Sequence, residues 1–133
     1  MKEIYLAGRL DGGESTLQEL AVELETRGHR VIEKWFLAGR LPKPYLTHPE
    51  TSTPAAAAMI KAAFESDVAI LFPTDDILGA MGEFGAALGS TMVNPDKIVV
   101  VINPYQVRQS VFYAHPGVLA LHNVAELRLL EWF

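Results

Sequence analysis

The 133-residue sequence predicts a three-layer α/β fold built on a five-stranded parallel sheet. Three observations carry that prediction. Short apolar runs bounded by turn residues recur at residues 4–7, 68–72 and 97–102. Segments with apolar residues at helical spacing lie between them. The runs themselves are too continuous to have one face in water, as expected of parallel strands covered by helices on both sides.

Taken in order, residues 4–7 follow a charged start and end at Gly8, a short buried strand. The loop over residues 8–13 (Gly-Arg-Leu-Asp-Gly-Gly) leads into a helix on which Leu17, Leu20, Ala21 and Leu24 share a stripe. Ser15 with Gln18, or Thr16 with Glu19, has the spacing of a capping box, and Gly28 suits the C-terminal stop. Residues 30–33 alternate well enough for a second, outer strand. Residues 35–54 carry Pro42, Pro44, Pro49 and Pro54 and exceed the usual loop length, which marks a functional or flexible loop. Pro54, with Thr53 as cap, fits the first turn of an Ala-rich helix that ends before Ser66 and Asp67. A buried strand over 68–72, a loop with Asp75 and Asp76, and a helix opening near Gly79 follow. Residues 97–102 (KIVVVI) are a further buried strand, stopped by Asn103 and Pro104. A short strand over 118–121 precedes a last helix over 124–132, capped by Asn123 with Leu127 and Leu130 inward.

Strands alternating with helices imply right-handed crossovers and a parallel sheet. The most apolar strands (first, third and fourth) belong at its centre, and the more polar second at an edge. The resulting order is 2-1-3-4-5, the flavodoxin-like, Rossmann-like arrangement, in a single domain spanning 1–133. Ligands in such sheets bind at the carboxyl ends of the strands where the winding reverses. Here that point lies between the first and third strands, so Tyr5, Arg9, Asp75, Asp76 and Glu83 converge by topology.

Composition narrows the function. The formal charge is −5, from 11 basic and 16 acidic residues, which disfavours a nucleic-acid backbone or an anionic membrane as partner. The absence of cysteine removes disulfides and thiol chemistry and fits a cytoplasmic location. No apolar run approaches the roughly 18 residues of a membrane span, and the first strand is too short for a signal peptide. His29, His48, His115 and His122 are scattered, without helical i,i+4 pairing or a cysteine partner, so no metal site is expected. The glycines of residues 8–13 match neither a dinucleotide fingerprint nor a Walker loop, and no cofactor is expected.

The chemistry concentrates in residues 66–89. Between Lys61 and Lys97 no basic residue occurs, while Glu65, Asp67, Asp75, Asp76, Glu83 and Asp96 are acidic. An exposed helical Glu commonly has Lys or Arg three or four places away; Glu83 has Gly79, Ala80, Ala86 and Ala87. A carboxylate on a smooth apolar face, without a local counter-charge, is a poor stabilising device and a good candidate for chemistry. The structural alternatives are a helix N-terminal carboxylate for Glu83, a core tyrosine for Tyr5, and a turn with an N-cap for Asp75 and Asp76. Asp67 reads as structural, and Trp35 and Phe36 as core, the alternative for the pair being lid aromatics that stack on a base.

The segments Ile4-Tyr5-Leu6-Ala7-Gly8, Ser66-Asp67-Val68 and Gly79-Ala80-Met81-Gly82-Glu83-Phe84-Gly85-Ala86-Ala87 together resemble the nucleoside 2-deoxyribosyltransferase family. Its superfamily includes the 2'-deoxynucleoside 5'-phosphate N-hydrolases. The resemblance implies that Glu83 is a nucleophile on the anomeric carbon of a deoxyribose and that Tyr5 positions it. It implies that Gly8, Gly79 and either Asp75 or Asp76 contact substrate, one of the aspartates as proton donor or holder of the base; Arg9, placed there by topology, is a further substrate-binding candidate for an anionic group. Ser110 falls where family members lend a polar residue to a neighbouring subunit, implying a homodimer or higher oligomer with shared sites. Two departures stand out. Met59 replaces an aspartate usual before the third strand, with Glu50 as a possible substitute, and Asp11 with the Asp75–Asp76 pair stands where monophosphate hydrolases hold phosphate. A nucleoside, or another uncharged glycoside, is therefore expected as substrate rather than a nucleotide. The alternatives are a non-catalytic nucleoside or nucleotide-derivative sensor on the same fold and, less well matched, a receiver-like signalling domain.

Overall fold

The computed structural model describes residues 1–8 and 14–133. Five strands, β1 (Glu3–Gly8), β2 (Arg30–Val31), β3 (Val68–Phe72), β4 (Ile98–Ile102) and β5 (Val118–Leu121), form one sheet. All neighbours are parallel and the order is β2-β1-β3-β4-β5, the arrangement expected from the sequence. The helices are α1 (Glu14–Thr26), α2 (Pro49–Glu65), α3 (Leu78–Ser90) and a single turn, α4 (Val124–Leu127).

Strand alternation sorts the side chains into two cores. Ile4 and Leu6 face α1, packing with Leu17, Leu20 and Leu24 under a lid made by Leu127 and Phe133. Tyr5 and Ala7 point the opposite way, towards Ala62 and Ala63 of α2 and Phe84 and Ala87 of α3. This parity puts Tyr5 in the same layer as the glutamate helix. At the opposite, amino end of the sheet Lys97 is 7% exposed. Its Nζ donates to Ser66 O, to Ala63 O at 2.7 Å and to Ser66 Oγ at 2.8 Å, tying the start of β4 to the last carbonyls of α2. Burial lowers its pKa from 10.5 to about 8.

Four boundaries differ from expectation. β2 keeps only two residues because Glu33 turns into a left-handed conformation, φ 48°. α2 begins at Pro49, not Pro54. Pro49 already supplies the preset φ of a first turn, and Pro54 is carried inside the helix at an exposed position, where the Glu50 carbonyl forgoes its helical donor. α1 is already running at Glu14, so neither Ser15 nor Thr16 is its cap. The last helix stops at Leu127. Asn123 caps it, its Oδ1 accepting from Glu126 N at 3.0 Å, but beyond it Leu130 and Phe133 bond three residues back, in tightened turns. The long loop holds two 3-10 turns, Trp35–Leu37 and Tyr45–Thr47. Among the described residues, no helix is long and apolar enough to cross a membrane.

Candidate active site

Five residues separate the end of β3 from the start of α3, so the first turns of α3 stand over the carboxyl edge of the sheet. The small residues on its inner face let the backbone approach α2, and a Cβ placed on Gly82 would touch Ile60 at 3.9 Å. Glu83 points into this layer and is 6% exposed. Its Oε1 accepts a short hydrogen bond from the hydroxyl of Tyr5, itself fully buried on β1. The two residues singled out for chemistry thus meet, 78 positions apart in the chain.

Their electrostatics follow from burial. Desolvation raises the Glu83 carboxyl above the ordinary carboxylate range, and the Tyr5 hydrogen bond pulls the other way. Burial, followed by the charge of Glu83, pushes the Tyr5 hydroxyl far above its usual range, so at neutral pH it remains a donor. Glu83 has no ion pair among the described residues. A buried carboxylate held by one hydroxyl and without an ion pair among the described residues is poised to gain from a developing positive charge.

The other expected residues separate. Gly8 adopts φ 102°, and a Cβ there would lie 2.1 Å from the Phe72 carbonyl oxygen; its need is steric, letting β1 leave the sheet hard against β3. Gly79 is exposed at the start of α3 with open space where a side chain would be. Asp75 is exposed, and its Oδ1 accepts from the backbone N–H of Arg108 at 2.6 Å, joining the β3–α3 loop to the segment after β4. Asp76 lies beside it, exposed, with no such tie among the described residues. Ser110 caps the 3-10 turn Val111–Ala114, its Oγ accepting from Phe112 N at 3.2 Å. Arg9 and Asp11 lie outside the described residues. Asp67 is structural, as expected, accepting from Glu3 N at 2.8 Å.

Met59 is half-buried against the core that holds Tyr5, and Glu50, exposed in the first turn of α2, lies 3.5 Å from His48. Among the described residues no group of three His, Cys, Asp or Glu side chains has the geometry to hold a metal ion. Two further residues stand beside Tyr5: Trp35, read from the sequence as core or lid, and Glu33, which escaped the reading of the site. Trp35 packs against both cores and donates its indole N–H to Leu6 O at 2.7 Å. Glu33, two residues beyond β2, is close enough for its charge to raise the Tyr5 hydroxyl further. Only a charge directly after an apolar strand end marked Glu33 in the sequence.

No protein-family model and no curated protein matches the chain. Among solved structures, the CMP N-glycosidase BcmB of Clostridium botulinum is similar, with a TM-score of 0.60 over 96% of this chain and 98% of that one, at 20% identity. A likeness at that identity shows a shared fold.

Proposed function

We propose that the protein breaks the N-glycosidic bond of a nucleoside, with Glu83 as nucleophile. The observation that carries this reading is the buried Glu83 carboxylate held by the Tyr5 hydroxyl at the carboxyl edge of the sheet. Cleavage of a nucleoside builds positive charge on the anomeric carbon, which a nearby carboxylate stabilises or traps. The Glu83 oxygen forms a bond to that carbon while the carbon–nitrogen bond breaks, its electron pair leaving with the base. The departing base takes a proton from an acid. Asp76 is favoured over Asp75 for this, because Asp75 already serves the Arg108 N–H. Water then cleaves the glycosyl ester and frees Glu83; a second base in place of water would make the reaction a transfer. The fold neighbour's description as a CMP N-glycosidase supports the bond type. An uncharged nucleoside fits the acidic loop of Asp75 and Asp76 better than a nucleotide.

The assay is incubation of the protein with nucleosides, with and without a second free base, reading free base and exchanged nucleoside by chromatography. Release of base that disappears in Glu83→Ala supports the reading. No release, or equal release by the variant, refutes it, and binding without cleavage would favour a sensor. A homo-oligomer is part of the proposal. An apolar groove of about 360 Å³ runs between α3 and the Val111–Ala114 turn, lined by Met81, Phe84, Leu88, Met92, Phe112 and His115, next to Ser110. Sedimentation as a monomer at micromolar concentration would remove that part.

A further inference from the structure

Among the described residues, Glu33 and Asn103 are the non-glycine positions with positive φ, 48° and 57°. Asparagine tolerates that region because its short amide bonds locally, but glutamate has no such compensation. Hydrogen bonds on either side pin the bend. Ile32 N donates to Ile4 O at 2.9 Å, and Trp35 N donates to Glu33 O at 2.8 Å. The Trp35 indole reaches Leu6 O. Residue 33 therefore stands beside Tyr5 and Leu6, between two side chains, Ile32 and Trp35, that pack on the Tyr5 core. The basic neighbours are engaged elsewhere, Lys34 with Glu25 and Arg30 with Glu3. Glu33 itself is exposed and without an ion pair among the described residues. An unpaired, exposed carboxylate on an uncommon backbone conformation contributes little to stability, and such outliers gather at functional sites.

We propose that Glu33 is a substrate-contacting residue of the Glu83 site, its carboxylate accepting a hydrogen bond from a sugar hydroxyl of the bound nucleoside. The inference rests on the N-glycosidase reading and extends it to the sugar. β2 and the Asp75–Asp76 loop flank β1 from opposite sides. A nucleoside with its anomeric carbon at Glu83 and its base towards that loop turns its sugar towards Glu33. An ionised carboxylate only accepts hydrogen bonds and repels a phosphate dianion. Glu33 thus selects a free hydroxyl over a phosphate ester at that end of the substrate.

The test compares wild type, Glu33→Gln and Glu33→Gly on the common ribo- and 2'-deoxynucleosides and their 5'-monophosphates, by steady-state kinetics, calorimetric binding and thermal melts. Both variants are expected to raise KM for nucleosides about tenfold, the size of a lost hydrogen bond to a charged group, with kcat little changed. The ratio of kcat/KM for monophosphate over nucleoside rises by at least the same factor. Glu33→Gly also raises Tm, since glycine takes the left-handed bend freely. Turnover with KM and that ratio unmoved overturns the role of Glu33 and leaves the N-glycosidase reading intact. Binding without turnover removes the catalytic reading, and Kd in the variants then decides Glu33 in the same way. Neither binding nor turnover by wild type overturns both. A Tm lowered in both variants, with KM unchanged, makes Glu33 a structural residue and also overturns the proposal.

Discussion

Replacing Glu83 with glutamine separates what this side chain does for the fold from what it does for chemistry. Because burial raises the Glu83 carboxyl above its ordinary value of 4.5, the folded protein binds more protons than the unfolded chain over the interval between the two values. Wild-type stability therefore falls as pH rises from 4.5 through the folded-state value. Glu83→Gln keeps the shape and an oxygen for the Tyr5 hydroxyl, and removes the titration. Each unit of upward shift corresponds to about 1.36 kcal/mol against the charged form, and neutralising a buried charge commonly returns roughly 1–2 kcal/mol. For a chain of this size that is about 4–8 °C in Tm at neutral pH. Thermal melts from pH 4 to pH 8 are the assay. The two curves should run parallel below 4.5 and diverge above it, the variant higher, while its turnover falls by roughly a thousandfold or more. A variant less stable at pH 7, or a difference that does not change with pH, would refute the view of Glu83 as a carboxylate retained at a cost to the fold.

Three further outcomes follow from the same contacts. Tyr5→Phe removes the hydrogen bond that lowers the Glu83 carboxyl, so the acid limb of the pH–rate profile should move to higher pH and kcat should drop about ten- to hundredfold; an unmoved limb would release Tyr5 from that role. Gly8→Ala would set a Cβ 2.1 Å from the Phe72 carbonyl oxygen, and denaturant titration should show a loss of about 3 kcal/mol or more, or no folded protein. Lys97→Met leaves Ala63 O and Ser66 O without their donor, and the same titration should show a loss of roughly 2 kcal/mol with the Glu83 chemistry intact.

The topology was legible because each central strand is a continuous apolar run that only a sheet covered on both sides can bury. Ile4, Ile70 and Val100 are all fully buried in the structure. The meeting of Tyr5 and Glu83 was legible for a related reason. Once strand order is known, the parity of β1 and the position of α3 leave one layer for both. Element ends were less legible. Pro54 looked like a helix start because proline in a helix interior is unfavourable, yet the penalty is tolerated at an exposed position one turn inside a helix that Pro49 had already begun. The partners of the loop aspartates were hidden for a different reason. That Asp75 would spend an oxygen on the Arg108 N–H, 33 residues away, depends on how two loops lie against each other, and no local pattern encodes that. Glu33 was read as the end of a strand, since alternation cannot reveal a change of sign in φ.

Trp35 gives the molecule an optical handle. Its indole is hydrogen-bonded to Leu6, the residue after Tyr5, and its ring touches both cores, whereas the chain's other tryptophan, Trp132, packs only on the α1 side. The emission of Trp35 therefore reports on the packing around β1 and Tyr5. With Trp132→Phe as background, a fluorescence titration with nucleosides would show, without a label, whether binding disturbs that packing.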